Sequence, residues 1–113
     1  VKYDQLVPYP SFKKVFSYSV SFQVPEVSGC YVITNFSEEI LYIGLSRCLK
    51  KRFCQHLDSP KKTQSGSYGK PSFFNYLLSE EHFLEKIERT WIHQFEILHG
   101  CLPVFNKVSS PLT

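Results

Sequence analysis

From Phe16 onward apolar and polar positions alternate: Phe16, Tyr18, Val20, Phe22 and Val24 take one parity, and Ser17, Ser19, Ser21 and Gln23 the other. A period of two predicts a half-buried strand over 16–24 with one wet face, ended by Pro25. Residues 1–14 hold two prolines and no periodicity, which predicts an irregular arm. Two runs rich in β-branched and aromatic residues follow, at 29–35 ("GCYVITN") and 40–44, divided by a short polar turn. They predict a hairpin. If the connection has an even number of residues, Tyr31 and Tyr42 fall on one face of it.

Beyond Gly44 the period changes to that of a helix. Ser46 is a suitable N-cap for a helix running to about residue 57. At about 100° per residue, Leu49, Phe53, His56 and Leu57 form one stripe with Arg52 at its border, while Lys50, Lys51 and Gln55 face water. His56 therefore turns inward with the apolar face. Residues 58–72 ("DSPKKTQSGSYGKPS") are polar, basic and rich in Gly, Pro and Ser, and predict a long loop of the kind that grips a ligand. Residues 73–78 predict a short helix. Ser79 would then cap a long one over about 80–98, stopped by Gly100. Its apolar face is Leu84, Ile87, Trp91, Ile92, Phe95 and Leu98, and Glu88 falls inside that face, with Glu85 and Glu96 on its shoulder. "LPVFNK" closes with a short strand or extended segment presenting Asn106.

A chain of 113 residues with 16% aromatic and 20% charged residues has a globular composition and the length of one domain. No apolar run is long enough to span a bilayer and no signal-peptide pattern is present, so an intracellular place is expected. Val1 is no initiator and the chain has no methionine, so it reads as a processed or excised piece. Cys30, Cys48, Cys54 and Cys101 form no CxxC pair and read as reduced thiols. Zinc on Cys54, His56, His99 and Cys101 is the lesser reading, because a one-residue gap within each pair is tighter than structural zinc sites use.

The net charge of +3 is unevenly spread. Residues 1–44 balance at −1, residues 45–72 at +6 and residues 73–113 at −2. Arg47, Lys50, Lys51, Lys61, Lys62 and Lys70 make the central segment a candidate for binding nucleic-acid phosphates. A carboxylate in an apolar stripe must be paired, protonated or bound to a metal, so Glu88 is out of place. An inward arginine, an inward histidine and two phenols complete an inventory suited to phosphodiester hydrolysis, which needs charge neutralisation and an activated water. A buried Glu88–Arg52 ion pair with no ligand is the structural alternative.

These residues also resemble a known family, the GIY-YIG endonucleases. Its first motif is matched by Gly29-Cys30-Tyr31, with cysteine in place of the usual isoleucine, and its second by Tyr42-Ile43-Gly44, eleven residues on from tyrosine to tyrosine. Arg52 and His56 follow at the family's spacing. Glu88 precedes the apolar pair Trp91-Ile92, and Asn106 ends a "P-x-x-N" segment. The likeness covers residues 29–107. Leu45 stands where some members have a polar or basic residue, and the gap from Glu88 to Asn106 is longer than in some. The resemblance implies an α+β fold, a small, mainly antiparallel three-stranded sheet flanked by helices, here with an extra N-terminal strand. It divides the chain into an arm and added strand (1–28), a nuclease core (29–107) and a tail (108–113). It implies a divalent-metal-dependent DNA endonuclease in which Glu88 binds one Mg²⁺ or Mn²⁺. Tyr31 would be the general base, Tyr42 its orienting partner and Arg52 the stabiliser of phosphoryl charge. His56 would assist proton transfer or contact phosphate, and Asn106 would position the site. The alternative on the same fold is a nucleic-acid-binding module that does not cut.

Overall fold

The structure, a computed structural model, describes residues 6–58 and 69–106. The hairpin forms as expected from β2 (Gly29–Thr34) and β3 (Ile40–Ser46), with Tyr31 opposite Gly44 and Ile33 opposite Tyr42. Asn35 closes the turn: its Oδ1 accepts the Glu39 N–H (2.9 Å), and Glu38 takes the left-handed region at φ 67°. A register shift between Ile33 and Thr34 adds a bulge. Every residue of β2 is buried, which explains its unbroken apolar run: this strand is covered on both faces.

Several expectations fail, the two largest for clear physical reasons. Residues Phe73–Leu78 are not a helix but a strand, β4, which pairs antiparallel with β2. Phe74 and Tyr76 point to one face and Asn75 and Leu77 to the other, and the free edge of β2 supplies the partner that a local reading lacks. The added strand is β1 (Phe12–Val15), antiparallel to the outer side of β4, inside the segment read as an irregular arm. The stretch expected as a strand, 16–24, leaves the sheet and turns into a 3-10 helix over Tyr18–Gln23. Its apolar residues recur every two positions, so they also recur every four. The structure uses the second spacing: Phe16 and Val24 are buried and Val20 packs against them, while Tyr18 (56% exposed) and Phe22 (71%) face water. Ser17 caps the turn by accepting the Ser19 N–H, the local side-chain bonding by which serines compete with a strand.

The sheet order is thus β1-β4-β2-β3, the expected three antiparallel strands plus one. Helix α1 (Leu49–Leu57) covers one face with Leu49, Phe53 and Leu57 against Tyr31, Ile33, Tyr42, Phe74 and Tyr76. Helix α2 (Leu84–His99) covers the other with Leu84, Trp91 and Phe95 against Leu6, Cys30, Val32, Ile40 and Ile43. Ser46 is not the cap of α1. It ends β3, its hydroxyl bonding the Cys48 N–H and C=O (3.0 and 2.8 Å), and the helix starts after Cys48. Glu81–Phe83 forms a 3-10 turn before α2, and Gly100, at φ 72°, ends the helix as expected. Residues 104–106 form a turn, closed by the Asn106 N–H on the Pro103 carbonyl (2.9 Å), rather than a short strand or extended segment. No helix among the described residues is long and apolar enough to cross a membrane.

Candidate active site

The two motif glycines are required by space. A Cβ on Gly44 would lie 2.6 Å from the Tyr31 hydroxyl and 2.8 Å from the Tyr42 ring. Gly44 is opposite Tyr31 in the ladder, so its missing side chain is the room through which the Tyr31 ring passes. At Gly29 a Cβ would run into the Leu77 carbonyl of β4 and Leu49 of α1. Both positions sit where a strand is pressed against neighbours from two sides.

With that room, the parity of β2 and β3 puts Tyr31 and Tyr42 on the α1 face, ring centroids 6.0 Å apart. His56, buried as the helix stripe requires, meets both rings at 5.3 and 5.1 Å. The Tyr31 hydroxyl and His56 Nε2 are hydrogen-bonded at 2.5 Å. Phe74 stacks on Tyr31 at 4.8 Å and fixes its plane. This support was missed in the sequence because residues 73–78 were expected as a helix; the Phe74/Tyr76 alternation was the available signal. Tyr31 is only 1% exposed. Burial pushes its phenol well above the usual value of 10, the neighbouring Tyr42 adds to the rise, and the Arg52 guanidinium opposes it.

Arg52 stands one turn before His56 on α1 and is partly exposed, but its Nε is buried and has no hydrogen-bond partner among the described residues. An orphaned guanidinium N–H costs free energy unless something accepts from it. Glu88 lies on α2 in the row Leu84, Glu88, Trp91 and Phe95, on the opposite side of the sheet but within electrostatic reach of Tyr31. Desolvation raises its pKa, Glu85 raises it further and Arg89 partly offsets both. No ion pair joins Glu88 to Arg52 among the described residues, so the structural alternative of a closed buried pair is not realised. Cys30 stands close by. Its thiol donates to the Leu84 carbonyl (3.3 Å), and burial, with Glu88 nearby, pushes its pKa up to about 12.

Asn106 is placed at the edge of β3. Its Oδ1 accepts the Ile43 N–H and its Nδ2 donates to the Ile43 C=O, both at 2.8 Å. The side-chain amide thus pairs with the strand as a neighbouring peptide would, and the Phe105 N–H adds a bond to the Leu41 carbonyl (3.0 Å). It is brought to the middle residue of Tyr42-Ile43-Gly44 rather than into the ring cluster.

The basic residues are dispersed. Arg47 is exposed and pairs with Glu81 (3.3 Å), Lys50 pairs with Glu26 (3.6 Å), and Lys51 and Lys70 are exposed. Lys61 and Lys62 lie outside the described residues. No group of three or more His, Cys, Asp or Glu that could hold a metal ion occurs among the described residues, and all four cysteines are free.

One relative, the UvrABC system protein C of Methanococcoides burtonii, is 40% identical over 42 residues. The match takes in 37% of this chain and 7% of that protein's length, so the chain corresponds to a small part of it. The sequence pattern of the GIY-YIG catalytic domain matches residues 27–97, from the first motif through the helix that carries Glu88. The chain therefore belongs to the GIY-YIG catalytic domain family, a nuclease-type domain.

Proposed function

We propose that this chain is the catalytic domain of a divalent-metal-dependent DNA endonuclease that hydrolyses phosphodiester bonds. The observation that carries the reading is the buried Nε of Arg52, without a hydrogen-bond partner among the described residues, one helical turn from the hydrogen-bonded Tyr31–His56 pair. A donor left unmet beside a poised proton acceptor is the arrangement a phosphate oxygen and an attacking water would complete.

Tyr31 is the general base. Because burial holds its phenol neutral, it takes the proton of the attacking water as its own proton passes to His56 Nε2, so no free phenolate is needed. Tyr42, in contact with both rings, orients the water. Arg52 stabilises the charge that develops on the phosphoryl oxygens. Asn106 holds β3, and with it Tyr42 and Gly44, in place. Glu88 fits a hard divalent cation such as Mg²⁺ or Mn²⁺: it is an oxygen donor, in no ion pair among the described residues, partly buried and pushed toward its neutral form, a state that an adjacent cation relieves. When bound, such an ion supplies neutralisation of the phosphate charge. Arg47, Lys50, Lys51, Lys61, Lys62 and Lys70 are the phosphate-backbone contacts; the ion pairs at Arg47 and Lys50 are exposed and worth little, so they open readily to a polyanion. The match takes in only 7% of the relative's length, which supports further domains that choose the target, acting wherever DNA is held.

The second reading is a nucleic-acid-binding module that does not cut. The 1% exposure of Tyr31 favours it, because water does not reach the hydroxyl in this conformation. Incubation with supercoiled plasmid and Mg²⁺ or Mn²⁺ separates the two. The endonuclease reading expects nicking that a chelator stops and that Glu88→Ala and Arg52→Ala abolish. A gel shift of DNA with no nicking supports the binding module.

A further inference from the structure

Residues 6–26 lie outside the family match, yet the structure ties the segment they begin to both helices of the site. On one side of the sheet the Leu49 and Lys50 N–H groups, the first of α1, donate to the carbonyls of Val27 (2.9 Å) and Pro25 (3.1 Å). Val24 and Phe16 enter the apolar layer under that helix. On the other side Leu6, 1% exposed, is buried in the layer under α2. The Gln94 carboxamide pairs with the backbone of Val7 in both directions: Val7 N–H donates to its Oε1 (2.9 Å) and its Nε2 donates to Val7 C=O (2.6 Å). Trp91 Nε1 donates to the Pro8 carbonyl at 2.7 Å. Between these two contacts runs β1, hydrogen-bonded to β4.

One continuous segment therefore grips the helix of Arg52 and His56 at its start and the helix of Glu88 one to two turns beyond that carboxylate. We propose that residues 6–28 are a clasp that sets Glu88 relative to Arg52 and His56 across the sheet, with Gln94 as its positioning residue. The inference rests on the endonuclease reading for what the position serves. Its physical basis is that Glu88 and Trp91 share a face of α2, so a shift of Trp91 and Gln94 turns the carboxylate with them. A displacement of about 1 Å in a reacting group is enough to cost a large part of the rate.

Trp91 is the chain's single tryptophan and reports on Glu88 without any cleavage, through quenching of its emission by paramagnetic Mn²⁺. Gln94 is partly exposed, so its substitution leaves the core intact. Gln94→Leu removes both bonds to Val7; Gln94→Glu keeps the acceptor and loses the donor. Ile40→Val, in the same apolar layer but outside the clasp, is the control for lost stability. The clasp predicts roughly five- to tenfold slower nicking by Gln94→Leu at saturating DNA, with DNA half-saturation within about twofold of wild type. It also predicts a several-fold higher Mn²⁺ half-saturation, intermediate values for Gln94→Glu, and wild-type values for Ile40→Val. Gln94→Leu matching Ile40→Val in both readouts overturns it. If the wild type binds Mn²⁺ without nicking DNA, the endonuclease reading fails and the Mn²⁺ titration alone judges the clasp. A wild type whose Trp91 emission does not respond to Mn²⁺ overturns the clasp as a device for Glu88.

Discussion

Under α1 the sheet meets rings. Phe53, Phe74, Tyr31, Tyr42 and His56 pack edge to face or in stacks, and the Tyr31 hydroxyl and His56 Nε2 satisfy each other. Under α2 it meets mainly aliphatic side chains with Cys30, Trp91 and Phe95, and the carboxylate in that row, Glu88, has no counter-charge bound to it among the described residues. On the first face the buried side-chain atom without a hydrogen-bond partner among the described residues is a guanidinium nitrogen; the second holds a carboxylate in the apolar row itself. Polar groups that answer one another fix a geometry, whereas an unanswered donor on one side and an unanswered carboxylate on the other leave room for an anion and a cation. A phosphodiester with a divalent ion supplies both.

The comparison breaks most completely at Tyr31. Tyr31→Phe removes the proton acceptor while keeping the ring, and nicking should fall by about 10²- to 10⁴-fold, the usual share of a general base. Plasmid cleavage rates at saturating metal check this. The same substitution removes the buried hydrogen bond between the Tyr31 hydroxyl and His56 Nε2, so stability should drop by about 1–3 kcal/mol in chemical denaturation.

Gly44→Ala tests the packing of the ring face. A Cβ meets the Tyr31 hydroxyl and the Tyr42 ring inside a closed layer, so the fold should lose about 1–3 kcal/mol. The near-ultraviolet signal of the tyrosines should change with it. An alanine tolerated at no cost would mean that Tyr31 does not occupy this position.

The smallest effect sharpens the other face. The pKa of Glu88 is raised in the folded protein above its ordinary 4.5, so the folded state holds this proton over a window where the unfolded chain has released it. Stability from this group is present below pH 4.5 and declines as pH rises through the raised value. Without metal, wild-type Tm should therefore fall relative to Glu88→Gln across that window, and added Mn²⁺ should reverse the difference.

The parts that were legible in the sequence are those whose signal is local. The hairpin, the inward turn of His56, the stop at Gly100 and the place of Glu88 in an apolar row follow from strand parity and helix azimuth alone. The parts that were not legible depend on partners far along the chain. Phe73–Leu78 becomes a strand because β2 offers an edge, and Asn106 reaches Ile43 across 63 residues. Residues 16–24 misled for another reason, since a two-residue repeat contains a four-residue one and nothing in the stretch chooses between them. The docking of Val7 and Pro8 on Gln94 and Trp91 carries no sequence pattern at all, because main-chain groups supply half of it.

The central claim is that the two faces act as one site, and the most direct measurement is a double-mutant cycle on plasmid nicking with Arg52→Ala and Glu88→Gln. Each single substitution should slow nicking by about 10²- to 10³-fold, and the double variant should be no more than a few-fold slower than the worse single one. Losses that simply multiply, or a wild-type rate in either single variant, would contradict it.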